Sequence, residues 1–260
     1  MQNFIKTYWK TLLFFTVIGL IGGFFVGIYT LDSYPADIQQ QLMAELNAKG
    51  LGQLPIRPVL GVISAYQAAG YGLILGAVGI FLAKKIGLWR DERAITPKPL
   101  TATIVISVIG GLALILPDLF FFGKYSEAIM NSYAIKPTVS FLIATVTYAA
   151  VIEEVILRLF MMSLIAFLLH KLFERKKAMP STAILVIANI IAAILFAAGH
   201  LPFTFLAIGT SPVIIFRCFL LNGVFGLLFG WLYRVYGLRY AMIAHGGCHI
   251  VSKLIWILFV

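Results

Sequence analysis

Two adjacent carboxylates, an arginine and three histidines interrupt sequence that is otherwise apolar. Glu153, Glu154 and Arg158 lie in AAVIEEVILRLF (149–160), His200 closes FAAGH, and His245 and His249 belong to AHGGCH. On a helix, Glu154 and Arg158 stand one turn apart with the acid N-terminal, the favourable order for an ion pair. Glu153 then points about 100° away and remains available for chemistry, which a purely structural salt bridge leaves unexplained. His245 and His249 share a helical face, at the spacing by which paired histidines bind a metal or converge on one substrate atom. A carboxylate beside imidazoles in a dry cavity is equipment for activating water: the carboxylate takes the proton, and the rings hold the water or the oxyanion. Hydrolysis of an acyl bond fits this set best. No G-x-S-x-G occurs, and Ser163 and Ser211 lack a distinctive setting. Cys248 is aimed off the histidine face, and both cysteines, Cys218 and Cys248, read as free thiols. His170, beside Lys171, reads as solvated.

The elements that must position these groups are membrane helices. The chain is 61% hydrophobic and 12% charged, with a mean hydropathy of +0.99, which excludes an ordinary soluble domain. Apolar runs reach the roughly 20 residues that a helix needs to cross a bilayer, and none alternates like a membrane barrel strand. The expected fold is therefore all-α, a polytopic transmembrane helical bundle of about seven to eight membrane helices. Its spans fall near 11–30, 59–83, 100–122, 137–160 (extendable to 169), 181–200 (extendable to 209), 212–233 and 239–259. The first run follows Lys6 and Lys10, lacks an A-x-A cleavage site and reads as a retained helix.

The net charge of +10 resides in loops, with no basic run carrying interleaved aromatics, so no nucleic-acid partner is expected. With the N-terminus cytoplasmic, thirteen basic residues face inside: Lys6, Lys10, Lys84, Lys85, Arg90, Arg93, Lys98, Lys171, Arg175, Lys176, Lys177, Arg234 and Arg239. Only Lys49, Arg57, Lys124 and Lys136 face outside, as the positive-inside rule requires. Arg158, Arg217 and Lys253 fall within spans, and Lys253 is placed to snorkel. Residues 1–136 supply three spans and an outside amphipathic segment near 35–49, capped by Gly50. Residues 137–260 supply the chemistry, and the two parts form one membrane domain. Glycines at four-residue spacing (Gly19, Gly23, Gly27; Gly72, Gly76; Gly226, Gly230) suit close helix packing.

The three motifs, in order, resemble those of the CPBP intramembrane proteases, which include the type II CAAX prenyl endopeptidases and the Abi proteins. That family's pattern is E-E-x-x-x-R, F-x-x-x-H and H-x-x-x-N/D/S. Here it reads Glu153-Glu154 to Arg158, Phe196 to His200, and His245 to His249, within a resemblance over about 137–252. The resemblance implies an endopeptidase in which Glu153 is the general base on water and His200 helps to hold it. It implies further that His245 and residue 249 stabilise the oxyanion. Glu154 and Arg158 then organise the site, with Arg158 a candidate receptor for the substrate's C-terminal carboxylate. In the prenyl endopeptidases the last three residues of a C-a-a-X protein are removed on the cytosolic side.

Two positions depart from the pattern: Leu159 replaces the usual glycine and is expected to narrow the cavity, and His249 replaces the usual asparagine. A histidine there makes Glu153, His200, His245 and His249 a conceivable set for a single Zn ion. Metal-independent glutamate catalysis is the preferred alternative. The expected partner is a membrane-associated protein or peptide, prenylated or not, in the plasma membrane of a prokaryote. A proton- or ion-coupled transporter and an inactive scaffold of the same fold are the competing readings.

One conflict needs the structure. At ~1.5 Å per residue, these boundaries put His200 ~28 Å from the cytoplasmic end of its span but His245 only ~9 Å from its own. Either LPFTFLAIG continues the fifth helix, or the seventh begins deeper than Arg239 suggests.

Overall fold

The computed structural model describes residues 2–90 and 95–260; Arg93, counted above as an inside charge, lies outside them. Among the described residues ten helices carry the architecture: α1 Gln2–Ser33, α2 Ala36–Ala48, α3 Ile56–Lys85, α4 Pro97–Phe120 and α5 Glu127–Ala134. They continue as α6 (139–173), α7 Thr182–Gly199, α8 Leu201–Ala207, α9 Pro212–Tyr236 and α10 Leu238–Phe259. Among the described residues there is no strand. Six helical runs are long and apolar enough to cross a membrane: Asn3–Ser33, Ile56–Lys85, Pro97–Tyr125, Thr182–Ala207, Pro212–Tyr236 and Leu238–Phe259. The chain is a multi-pass integral membrane protein. Helix α6, expected to be a span, is not among the six, against the seven to eight expected; Glu153, Glu154 and Arg158 lie at its centre.

Local chemistry starts and stops these helices. Thr138, Ser181 and Ser211 each accept a hydrogen bond from the backbone three residues on, at the start of α6, α7 and α9. Gly50, at φ +71°, follows α2 as expected of a C-terminal cap, and α2 has no buried residue. Gly19, Gly23 and Gly27 on α1 leave no room for a β-carbon against the carbonyls of Ala68, Ser64 and Leu60 on α3. Gly226 and Gly230 on α9 likewise meet Ala193 and Asn189 on α7, so small residues set the helix approaches.

The pairing order fixes an up-and-down arrangement. One end gathers Lys84 with the Tyr8 hydroxyl (2.5 Å) and Arg90 with the Arg234 carbonyl (3.4 Å). The opposite end gathers Arg57 with Asp32 (2.9 Å), Arg217 with Asp118, and Lys136 with the Ile257 carbonyl (3.1 Å). The first end is the one rich in basic residues. Between them, Ile152, Val155, Leu159, Met162 and Ala166 of α6 are fully buried in the main core. That face explains how an element with three central charges sits in a bundle: its buried side packs against protein.

Two expectations are corrected. His170 is buried, not solvated, because it faces the bundle at the last turn of α6. Leu159 does not point into the cavity; it packs against Gly79 of α3.

Candidate active site

The centre of α6 is wound as a π-helix over Thr145–Glu153 and again over Val155–Met162. Its i→i+5 hydrogen bonding widens the turn, a feature that recurs at functional sites. The α-helical expectation of well-separated glutamates is thereby altered, for both reach the same histidine. Glu154 Oε1 lies 2.9 Å from His245 Nδ1, and Glu153 Oε2 lies 4.0 Å from His245 Nε2. Glu154 is fully buried, whereas the Glu153 side chain keeps 20% exposure.

The expected Glu154–Arg158 pair is present, with Oε2 and Nε 3.3 Å apart. The guanidinium donates to the Gly226 carbonyl at 3.2 Å and lies over the rings of Phe196 (4.8 Å) and Phe229 (5.7 Å). With Arg158 only 1% exposed, every side of its guanidinium is protein.

Helix α10 brings in both later histidines. His245 stacks between Phe229 (centroids 4.6 Å) and His249 (5.0 Å), and its Nδ1 is committed to Glu154. This fixes the ring with Nε2 towards Glu153. His249 Nδ1 is buried without a hydrogen-bond partner in the protein. Its ring lines a groove together with Lys253. Cys248 is turned away as expected, its thiol directed to the Ile106 carbonyl on α4, and both cysteines are free.

His200 joins less directly. It is the joint between α7 and α8, so the fifth span does continue through LPFTFLA, to Ala207. The start of α10 at Leu238 is nearly where the sequence put it. An offset therefore remains: His200 lies ~27 Å along its helix and His245 ~10 Å along its own. Side chains lean towards the helix N-terminus, and the His200 ring turns back onto Phe196 (centroids 4.7 Å), which itself meets His245 at 6.1 Å. His200 Nδ1 is bonded to the Phe196 carbonyl at 2.8 Å; a carbonyl only accepts, so Nδ1 is a donor, and in the neutral ring Nε2 holds a lone pair.

The alternative zinc set of Glu153, His200, His245 and His249 is not assembled as placed. Among the described residues no three His, Cys, Asp or Glu side chains converge to hold a metal ion. The residues as placed do not fit that group, and no step below is routed through it.

Residues 135–251 match the family model described as Type II CAAX prenyl endopeptidase Rce1-like. That segment is similar to this family of membrane proteases, in agreement with the sequence resemblance. Neither the curated proteins nor the solved structures give a match.

Sequence reasoning missed Asp118. This buried aspartate takes both prongs of Arg217 at 2.5 Å and a hydrogen bond from the Tyr133 hydroxyl at 3.0 Å. A lone acid inside LALILPDLFFF was the available signal. Tyr133 lies outside the spans; burial first, and the Asp118 charge second, hold its phenol above the usual 10, so it remains a donor. Phe229, which stacks on His245, had no signal in the sequence.

Proposed function

We propose that this protein is an intramembrane endopeptidase that cleaves near the C-terminus of a membrane-associated protein or peptide, using water activated by Glu153. One observation supports the reading: Glu154 and Glu153 of α6 approach His245 of α10 inside the bundle at 2.9 and 4.0 Å, with Arg158 paired to Glu154 and His249 stacked on His245. Residues 137–260 supply the machinery and 1–136 the membrane scaffold beside it. A prenylated C-a-a-X terminus is the proposed substrate class and a prokaryotic plasma membrane the proposed location, both on the family resemblance.

In the proposed step Glu153 takes a proton from water as its oxygen attacks the scissile carbonyl carbon. His200 Nε2, its lone pair free, orients that water. The oxyanion accepts a hydrogen bond from His249, whose Nδ1 has no competing protein partner. The proton passes from Glu153 to His245 Nε2 and on to the leaving amine as the C–N bond breaks. Glu154 holds His245 through Nδ1, and Arg158 holds Glu154; its burial supports a role in organising the site.

The test uses the full chain in liposomes with an S-farnesylated C-a-a-X peptide and its unprenylated counterpart. Cleavage by the wild type, abolished in Glu153→Gln and strongly reduced in His200→Ala, is expected. Because no three described His, Cys, Asp or Glu side chains converge, dialysis against a chelator should leave the rate unchanged. Unimpaired cleavage by both variants ends the assignment, and zinc bound one-to-one and lost together with activity overturns the metal-free route.

A further inference from the structure

We infer that the lateral groove between α6 and α10 is the subsite for the C-terminal residues of the substrate, with the Lys253 ammonium receiving the terminal carboxylate; this rests on the peptidase reading above. The groove, about 280 Å³, is walled by Leu142, Val146, Ile250 and Leu254, and also lined by His249 and Lys253. Its size is near the lower end for ligand cavities.

Lys253 is the anomaly that defines it. A cation within a membrane helix is costly unless paired, and among the described residues no carboxylate pairs with this one. Only aromatic faces meet its ammonium, Phe141 at 4.6 Å and Trp256 at 5.8 Å. An apolar trough holding one unpaired cation is complementary to an apolar chain ending in one anion, and in low dielectric that attraction is strong.

The lengths agree with a three-residue leaving segment. Three extended residues span ~10 Å from scissile carbonyl to terminal carboxylate. His249 and Lys253 are one turn apart, ~6 Å along α10, and the lysine stem supplies the remainder. Arg158, the other candidate receptor, is 1% exposed and already engaged. The direction is also consistent: from His249 to Lys253 the groove leads away from the end rich in basic residues. A substrate entering from that end would extend its last residues past mid-bundle, towards the opposite end.

The experiment uses full-length protein in phosphatidylcholine nanodiscs. The probe is a dansylated S-farnesyl C-a-a-X peptide carrying either a free C-terminal acid or a C-terminal amide, bound to Glu153→Gln protein so that it is not consumed. The acid should bind roughly ten-fold or more tightly than the amide, the worth of one hydrogen bond to a charged group. Adding Lys253→Gln should erase the difference, and Lys253→Arg should retain most of it. Equal binding of acid and amide, no binding of either, or a preference that survives Lys253→Gln overturns the subsite. If acid and amide bind alike while Lys253→Gln lowers only retention of phosphatidylglycerol, the groove holds a lipid headgroup and the proposal falls. Cleavage by the Glu153-intact chain is read in parallel. No cleavage with the acid preference intact removes the peptidase reading and leaves the subsite, whereas cleavage without that preference removes the subsite alone.

Discussion

Two charged clusters are buried in this bundle, and they are built to opposite specifications. Near the end poor in basic residues, Asp118 receives both prongs of Arg217 and the Tyr133 hydroxyl, while the Tyr133 carbonyl accepts from Trp256 Nε1. At mid-bundle, Glu154 Oε2, Arg158 Nε and Nη1, and His249 Nδ1 are buried without a hydrogen-bond partner. The only tie between that acid and that arginine is the 3.3 Å ion-pair contact. The difference teaches how to separate structural charge from functional charge in lipid: a satisfied cluster holds helices together, and one with spare donors and acceptors is made for something that binds.

The contrast is broken most severely by neutralising one acid in each cluster. Glu153→Gln should lower the cleavage rate by about 10²–10⁴-fold, the usual worth of a general base, with the thermal midpoint in nanodiscs little changed. Asp118→Asn should do the reverse: removing one partner of a buried pair costs about 3–5 kcal/mol, read as a lowered midpoint, while the folded fraction still cleaves. Both variants losing stability alike would erase the distinction.

At His249 the effect should be next in size. His249→Ala removes the proposed oxyanion donor and should cost about 10²–10³ in kcat. His249→Asn, which restores the donor usual in the resembling family, should recover much of that rate; no recovery would argue that the imidazole has a duty an amide cannot perform.

Smaller still is Tyr133→Phe, which removes one hydrogen bond to Asp118 and should cost about 1 kcal/mol of stability without touching kcat. The smallest effect concerns a loop outside both clusters. Glu174, linking α6 and α7, accepts from Lys177 (2.6 Å) and from the Ser181 backbone (2.7 Å). The Lys177 hydrogen bond, then Ser181, holds its carboxyl down from 4.5 to about 2. A depressed folded-state value means the contribution is fully present above about 4.5 and fades as pH falls towards about 2. Titration of Glu174 by NMR should find that low value, and Glu174→Gln should flatten the stability profile slightly in that window alone.

Much of this was legible because its signals are local. Helix α10 was placed to within a residue, and the Glu154–Arg158 pair was predicted from spacing alone. His200 was harder, since depth was counted from chain ends, whereas a side chain that leans back onto Phe196 narrows the gap by contact. Asp118 was overlooked because its partners, Tyr133 and Arg217, lie 15 and 99 residues away.

The sequence by itself determined a helical membrane protein, the approximate reach of its spans and the residue types able to activate water. Hydropathy, charge asymmetry and one-turn spacing are properties of neighbours along the chain. Tertiary structure alone decided that Glu153 and Glu154 share His245, that Arg158 is sealed between two phenylalanines, and that Lys253 faces a groove without a counter-ion. Those outcomes depend on π-winding and on how closely glycine-lined helices approach, and a distance between chains of atoms so remote in sequence is set only when the whole bundle closes.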